Sequence, residues 1–176
     1  MNRALIIALI AVFAIAAIGI GAYTGMLLGG QNPDISLGNV TNPEIKTFSL
    51  AEGPVEAIGG KPVVRLFSTT WCPHCVWIKE AYDRVAKEYA DAGKIVAYHW
   101  ELDTGDNTLT PEVEKEVPAS EQAVFAKFNP QGSIPTYVFG GKYWRIGNGY
   151  EREQNLTLEE KEFRTVIEEL IKEAQN

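Results

Sequence analysis

The sequence is poor in the residues that staple or metallate small exported domains: its 176 residues hold only two cysteines and two histidines. Two cysteines exclude a multi-disulfide scaffold, which needs several bridges. A four-ligand Cys/His zinc site would need both thiols, His74 and His99, and His74, held between the cysteines, cannot readily reach the ion they share. Positive charge is also scarce. Sixteen Lys and Arg stand against 23 Asp and Glu, a net charge of −7 that argues against nucleic acid or an anionic membrane surface as a partner. Residues 4–28 carry no charge at all, and after Arg3 no Lys or Arg recurs before Lys46.

The uncharged stretch, ALIIALIAVFAIAAIGIGAYTGMLL, is 25 residues long. At about 1.5 Å per helical residue it can cross a hydrocarbon core of roughly 30 Å with some tilt. It reads as an N-terminal transmembrane helix. The rival reading is a cleaved secretory signal, whose apolar core runs about 7 to 15 residues; either one sends the remaining chain across a membrane. Arg3 and the amino terminus precede the span, so the N-terminus is expected in the cytoplasm and the rest outside. The expected organisation is a single-pass cell-membrane protein, with an anchor at residues 1–28, a linker at 29–43 and one globular domain at 44–176.

The two cysteines lie in TTWCPHCVW, separated by Pro73 and His74. As a clip they would close a tiny loop, the kind that stabilises least on the chain-entropy account. Redox chemistry fits the surroundings better. KPVVRLFS before them reads as a buried strand. After them Cys75, Ile78, Tyr82, Val85 and Tyr89 recur at helical spacing, Gly93 is a natural stop, and Pro73 falls at the first helical position. Cys72 is thereby expected at a helix N-terminus, as the exposed, low-pKa nucleophile, with Cys75 one turn in to resolve the mixed disulfide. His74 is expected to donate a hydrogen bond or positive charge to the Cys72 thiolate, the alternative being a solvated loop residue. No cofactor beyond the disulfide itself is needed, and no metal is assigned.

Further along, KIVAYHW reads as a second strand and ELDTGDNTLTPEVEKEVPAS as a polar surface excursion. EQAVFAKFNPQG reads as a short helix, and PTYVFGGKYWRIG as a hairpin turning at Gly140-Gly141. Thr157 and Glu160 form a capping box for a last helix whose buried stripe is Phe163, Val166, Ile167, Leu170 and Ile171.

Strand, redox helix, strand, helix, hairpin, helix is the order of the thioredoxin fold, and PVVRLFSTTWCPHC together with GSIPTYVFGG resembles thioredoxin-like proteins from about Lys46 onward. The resemblance implies an α/β fold, a central mixed β-sheet flanked by helices. It also implies a cis bond at Ile134-Pro135 packed beside the sulfurs, where Ile134 backbone groups would pair with an extended substrate segment; from the residues alone, an ordinary trans proline at a strand's start remains open. Trp71 is read as an apolar platform for substrate. The Pro-His dipeptide resembles that of the periplasmic oxidase DsbA, which implies a potential of about −120 mV against roughly −270 mV for thioredoxin. Trp71, Ile134 and GKPVV resemble thioredoxin and the membrane-anchored TlpA-type reductases instead. Two departures stand out: Leu66 replaces the buried acid of many relatives six residues before the first cysteine, and Glu80 replaces a helix-kinking proline. Glu101 and Lys79 could serve the proton step that such an acid would otherwise take, yet both read as surface residues.

Three functions are compatible with these residues. An extracytoplasmic oxidoreductase would donate the Cys72-Cys75 disulfide to thiols of exported proteins and be recycled by a membrane redox partner. A TlpA-like reductase would run the same exchange backwards on disulfides. A non-enzymatic module would bind a thiophilic metal or a partner chain through the same surface.

Overall fold

The structure, a computed structural model, describes residues 35–175. The expected anchor lies outside the described residues; among those described, no helix is long and apolar enough to cross a membrane.

The fold is organised around β3 (Lys61–Ser68), whose β-branched and apolar run is buried at every residue after Lys61. On one side it pairs in parallel with β4 (Val96–Glu101), and on the other antiparallel with β6 (Thr136–Phe139). β6 returns antiparallel into β7 (Tyr143–Ile146). The turn between them needs Gly140 and Gly141, which sit in the left-handed region at φ 62° and 61°. Three two-residue strands complete the sheet: β1 (Ser49–Leu50) beside β7, β2 (Ala57–Ile58) beside β3 and β5 (Asp106–Asn107) beside β4. The main path runs β1-β7-β6-β3-β4-β5.

Successive β3 side chains point to opposite faces, and each face has its own cover. Val64 and Leu66 meet Ile78 and Tyr82 of α1 (Pro73–Asp91) and Phe163 and Ile167 of α3 (Leu156–Ala174). Phe67 faces the other way, joining Trp100, Val138 and Phe128 of α2 (Ala119–Phe128). The central mixed sheet flanked by helices is the architecture expected.

Three details differ from expectation. The cap of α3 is Asn155, whose Oδ1 accepts from the Leu158 N–H at 3.0 Å, so Thr157 lies inside the helix. The buried side of α3 also includes two acids. Glu159 meets Arg145 of β7 at 2.7 Å, and Glu162 accepts from the backbone N–H and hydroxyl of Thr47 at 2.7 and 2.5 Å. The third is the chain before β1, expected as linker to residue 43. From Ile35 on it is bonded to the domain: Leu37 bridges Ala51, and Asn42 Nδ2 donates to Glu169 at 3.0 Å. Extending the edge beyond β1 satisfies backbone groups that a free linker would leave to water.

Candidate active site

β3 ends at Ser68, and four residues later the chain enters α1. Cys72 is the N-cap, in extended conformation at φ −78° and ψ 120°, and Pro73 occupies the first turn, where no N–H is required. Cys75 follows one turn in, among the buried residues of the helix. Both are free thiols.

The expected exposure of Cys72 is not observed. It is 5% exposed and Cys75 2%, so both thiols are enclosed by the fold. Burial pushes the Cys75 thiol up to about 12; a hydrogen bond from the Thr69 backbone opposes this, while the Cys72 thiol and the charge of Asp103 add to it. Cys75 is therefore a sulfur that holds its proton well into alkaline pH.

His74 also departs from expectation. Its Nδ1 lies 2.8 Å from Glu151 Oε1, on the segment before α3, and its side chain is 64% exposed. The same carboxylate accepts from Asn148 Nδ2 at 2.8 Å, which donates as well to the His74 carbonyl at 2.9 Å. Asn148 Oδ1 in turn accepts from the buried Tyr137 hydroxyl at 2.5 Å. The imidazole is thus engaged by a carboxylate instead of the Cys72 sulfur. Glu151, Asn148 and Tyr137 carry no spacing signal that could have linked them to residue 74; only the folding of the β7–α3 segment over the helix end brings them there.

Beside this network the Ile134-Pro135 bond is cis, and the Pro135 carbonyl accepts from the Gly147 N–H at 2.8 Å. Ile134, Pro135, His74, Asn148, Glu151 and Arg152 line a groove of about 440 Å³. Trp71, 70% exposed, and Val76, 61% exposed, leave apolar surface free next to the cysteines. A second cavity of about 240 Å³ lies beside Cys75, walled by Ser68, Thr69, Thr70, Val76, Lys79 and Glu101. Glu101 is not a surface residue: it is 8% exposed and pairs with Lys79 at 2.6 Å, because it ends the buried strand β4 instead of starting the polar excursion.

Over 119 residues the chain is 29% identical to the F-type chloroplast thioredoxin of Spinacia oleracea, an alignment covering 68% of this chain and 57% of that protein. Over 131 residues it is 28% identical to the thioredoxin-like protein YneN of Bacillus subtilis (strain 168), covering 67% and 68% respectively. Over about two thirds of its length the chain is thus similar to a thioredoxin and to a thioredoxin-like protein. Its match spans little more than half the length of the spinach relative. No protein-family profile matches it. Among solved structures it is similar to the oxidoreductase NmDsbA1 from N. meningitidis, at a TM-score of 0.49 and 14% identity over 74% of this chain and 95% of that one.

The site brings together Cys72, Pro73, His74, Cys75 and the cis Ile134-Pro135 loop, with Trp71 exposed beside them. Among the described residues, no group of three or more His, Cys, Asp or Glu side chains is placed to hold a metal ion.

Proposed function

We propose that the protein is an extracytoplasmic thiol–disulfide oxidoreductase, held in the cell membrane by residues 4–28, that passes its Cys72-Cys75 disulfide to cysteines of exported proteins. The observation that carries the exchange chemistry is the pair of free thiols at the start of α1 near the cis-proline groove. A substrate thiolate attacks Cys72 Sγ and Cys75 leaves as thiolate; a second substrate thiolate then attacks the substrate sulfur of the mixed disulfide. The substrate becomes a disulfide, and the dithiol that remains takes up its two electrons. Trp71 and Val76 offer apolar contact to the incoming chain, and the Ile134 backbone offers strand-like pairing. A membrane redox partner would restore the disulfide.

The oxidising direction is supported by the Pro-His dipeptide at the helix end and by an expected location where a reductase would need its own electron supply. One observation favours the reducing direction instead: His74 is held by Glu151 and so lends its proton to a carboxylate and not to the Cys72 thiolate. The reduction potential decides between them. Equilibration of the protein with glutathione should give a value well above about −180 mV for an oxidase; a value near −270 mV or lower makes the reductase correct.

A further inference from the structure

We propose that Glu101, paired with Lys79 across the cavity behind Cys75, takes and returns the proton of the Cys75 thiol during disulfide exchange. This rests on the thiol–disulfide reading of the cysteine pair.

The chemistry sets the requirement. A mixed disulfide on Cys72 is resolved by the Cys75 thiolate, not by the thiol. Burial holds that thiol protonated through the neutral range, and at 2% exposure it has almost no contact with bulk water. Some group inside the fold has to exchange the proton. Leu66, behind the site on β3, offers none.

The cavity of about 240 Å³ lined by Cys75 supplies one. Its wall bears the carboxylate of Glu101, with Oε1 2.6 Å from Lys79 Nζ and Oε2 3.4 Å from the Thr104 hydroxyl. It also bears Thr69, whose Oγ1 is buried without a hydrogen-bond partner in the protein. A space of this size with a hydroxyl, an ammonium and a carboxylate on its wall has the polar partners that a bridging water needs. Lys79, its side chain 42% exposed, connects the pair to solvent.

Other ionisable groups around Glu101 are placed less well. Asp103, whose charge acts on the Cys75 thiol, does not line this cavity and is already held by the backbone N–H of Thr70 at 3.1 Å and by its hydroxyl, and Asp106 faces Glu101 from β5 while accepting from the Glu114 N–H. His99 is fully buried and reaches the cavity only through Ser68, its Nε2 2.8 Å from Ser68 Oγ and its Nδ1 2.6 Å from Asp83.

In the reducing direction the Cys75 S–H passes its proton to the Glu101 carboxylate. The sulfur's electron pair then forms the bond to Cys72 Sγ, the bond from Cys72 to the substrate breaks, and the substrate leaves as thiolate. In the oxidising direction a substrate thiolate displaces Cys75 from Cys72, and the Cys75 thiolate recovers the proton from the Glu101 carboxylic acid. Formation of the mixed disulfide at Cys72 from a substrate disulfide does not need Glu101.

The test mixes the reduced, detergent-solubilised full chain with oxidised glutathione across a pH series. Samples are quenched with acid, and the Cys72–glutathione mixed disulfide and the Cys72-Cys75 disulfide are counted by mass spectrometry. In E101Q the mixed disulfide should form within about twofold of the wild-type rate but resolve about 10- to 100-fold more slowly, with the low-pH limb of the resolving rate lost and partly recovered in E101D. Wild-type resolution and an unchanged pH profile in E101Q overturn the proposal. So does slow resolution found in H99Q and absent from E101Q, which would assign the proton to the Ser68–His99–Asp83 route. If E101Q does not fold, K79M serves: losing the ammonium should move the low-pH limb up by about one pH unit, and a limb that stays in place overturns the proposal equally. A wild-type protein that forms neither disulfide species with glutathione refutes the oxidoreductase reading itself, and with it this one.

Discussion

At the residue scale the site is defined by two buried thiols and by what holds the groups around them. The pinning of His74 predicts that E151Q raises the reduction potential. Removing the carboxylate takes a negative charge from the helix end and frees the imidazole to turn to Cys72, so the reduced form gains stability. The expected rise is about 20–30 mV, close to a tenfold change in the equilibrium with glutathione; an unchanged or lower potential would show that His74 does not set it. A second prediction concerns alkaline pH. The Cys75 thiol is raised from 9.0 to about 12 by burial, so it binds its proton more tightly folded than unfolded. Its contribution to the stability of the dithiol form is whole below about pH 9 and is lost as pH rises toward 12. Burial raises the Tyr137 and Tyr82 phenols with the same sign, starting from 10.0. The denaturant midpoint of the reduced protein should therefore fall between about pH 9 and pH 12, and fall less in C75A; equal losses in both would remove Cys75 as the cause.

Of these residues, the places of Cys72, Pro73 and Cys75 at the helix start were legible because they follow from spacing within one helical turn. The buried state of Cys72 was not, since exposure is set by how the folded chain packs and not by position within a helical turn. Glu151 was invisible for a stronger reason: it lies 77 residues from His74 and pairs with it only once the β7–α3 segment has packed.

At the element scale the strands and helices follow closely from pattern. β3 and the helix after it match the apolar run and the 3.6-residue stripe, because both bury one continuous surface whose period the backbone imposes. The element that pattern described incompletely is α3. Its apolar stripe is correct, but Glu159 at 0% and Glu162 at 2% exposure share the buried face, neutralised by Arg145, whose guanidinium lies 4.5 Å from the Tyr137 ring centroid. The network joins α3, β7 and the segment ahead of β1. Removing its cation leaves two buried carboxylates without their counter-charge, so R145A should cost about 3–5 kcal/mol by chemical denaturation. A loss under about 1 kcal/mol would show the acids to be solvated. Replacing the cap, N155A, should cost only about 1 kcal/mol, since one helix-end N–H loses its acceptor at a half-buried site.

At the scale of the whole molecule the expectation concerns where the domain works. If residues 4–28 anchor it, the full chain should stay in the membrane fraction through an alkaline carbonate wash, and a cysteine-labelling reagent that cannot cross the membrane should reach Cys72 from outside the cell. Release into the soluble fraction at lower apparent mass would indicate a cleaved signal. The acidic surface, at net −7, leaves substrate contact to the apolar patch of Trp71 and Val76 and to the groove beside Pro135. W71A should therefore weaken reaction with a protein substrate several-fold while leaving reaction with glutathione within about twofold; equal losses with both would make Trp71 a support of the fold.

By itself the sequence determined what local pattern can encode: a thiol pair at a helix start, a buried central strand, a glycine hairpin and the order of elements. Each depends on residues within a few positions of one another, where backbone geometry alone decides which side chains share a face. Tertiary structure decided the environment of those thiols. It placed Glu101 and Lys79 behind Cys75, gave His74 to Glu151 and buried Cys72, because contacts between residues far apart in the chain, and the low-dielectric interior they create, exist only after the sheet and its helices have closed on one another.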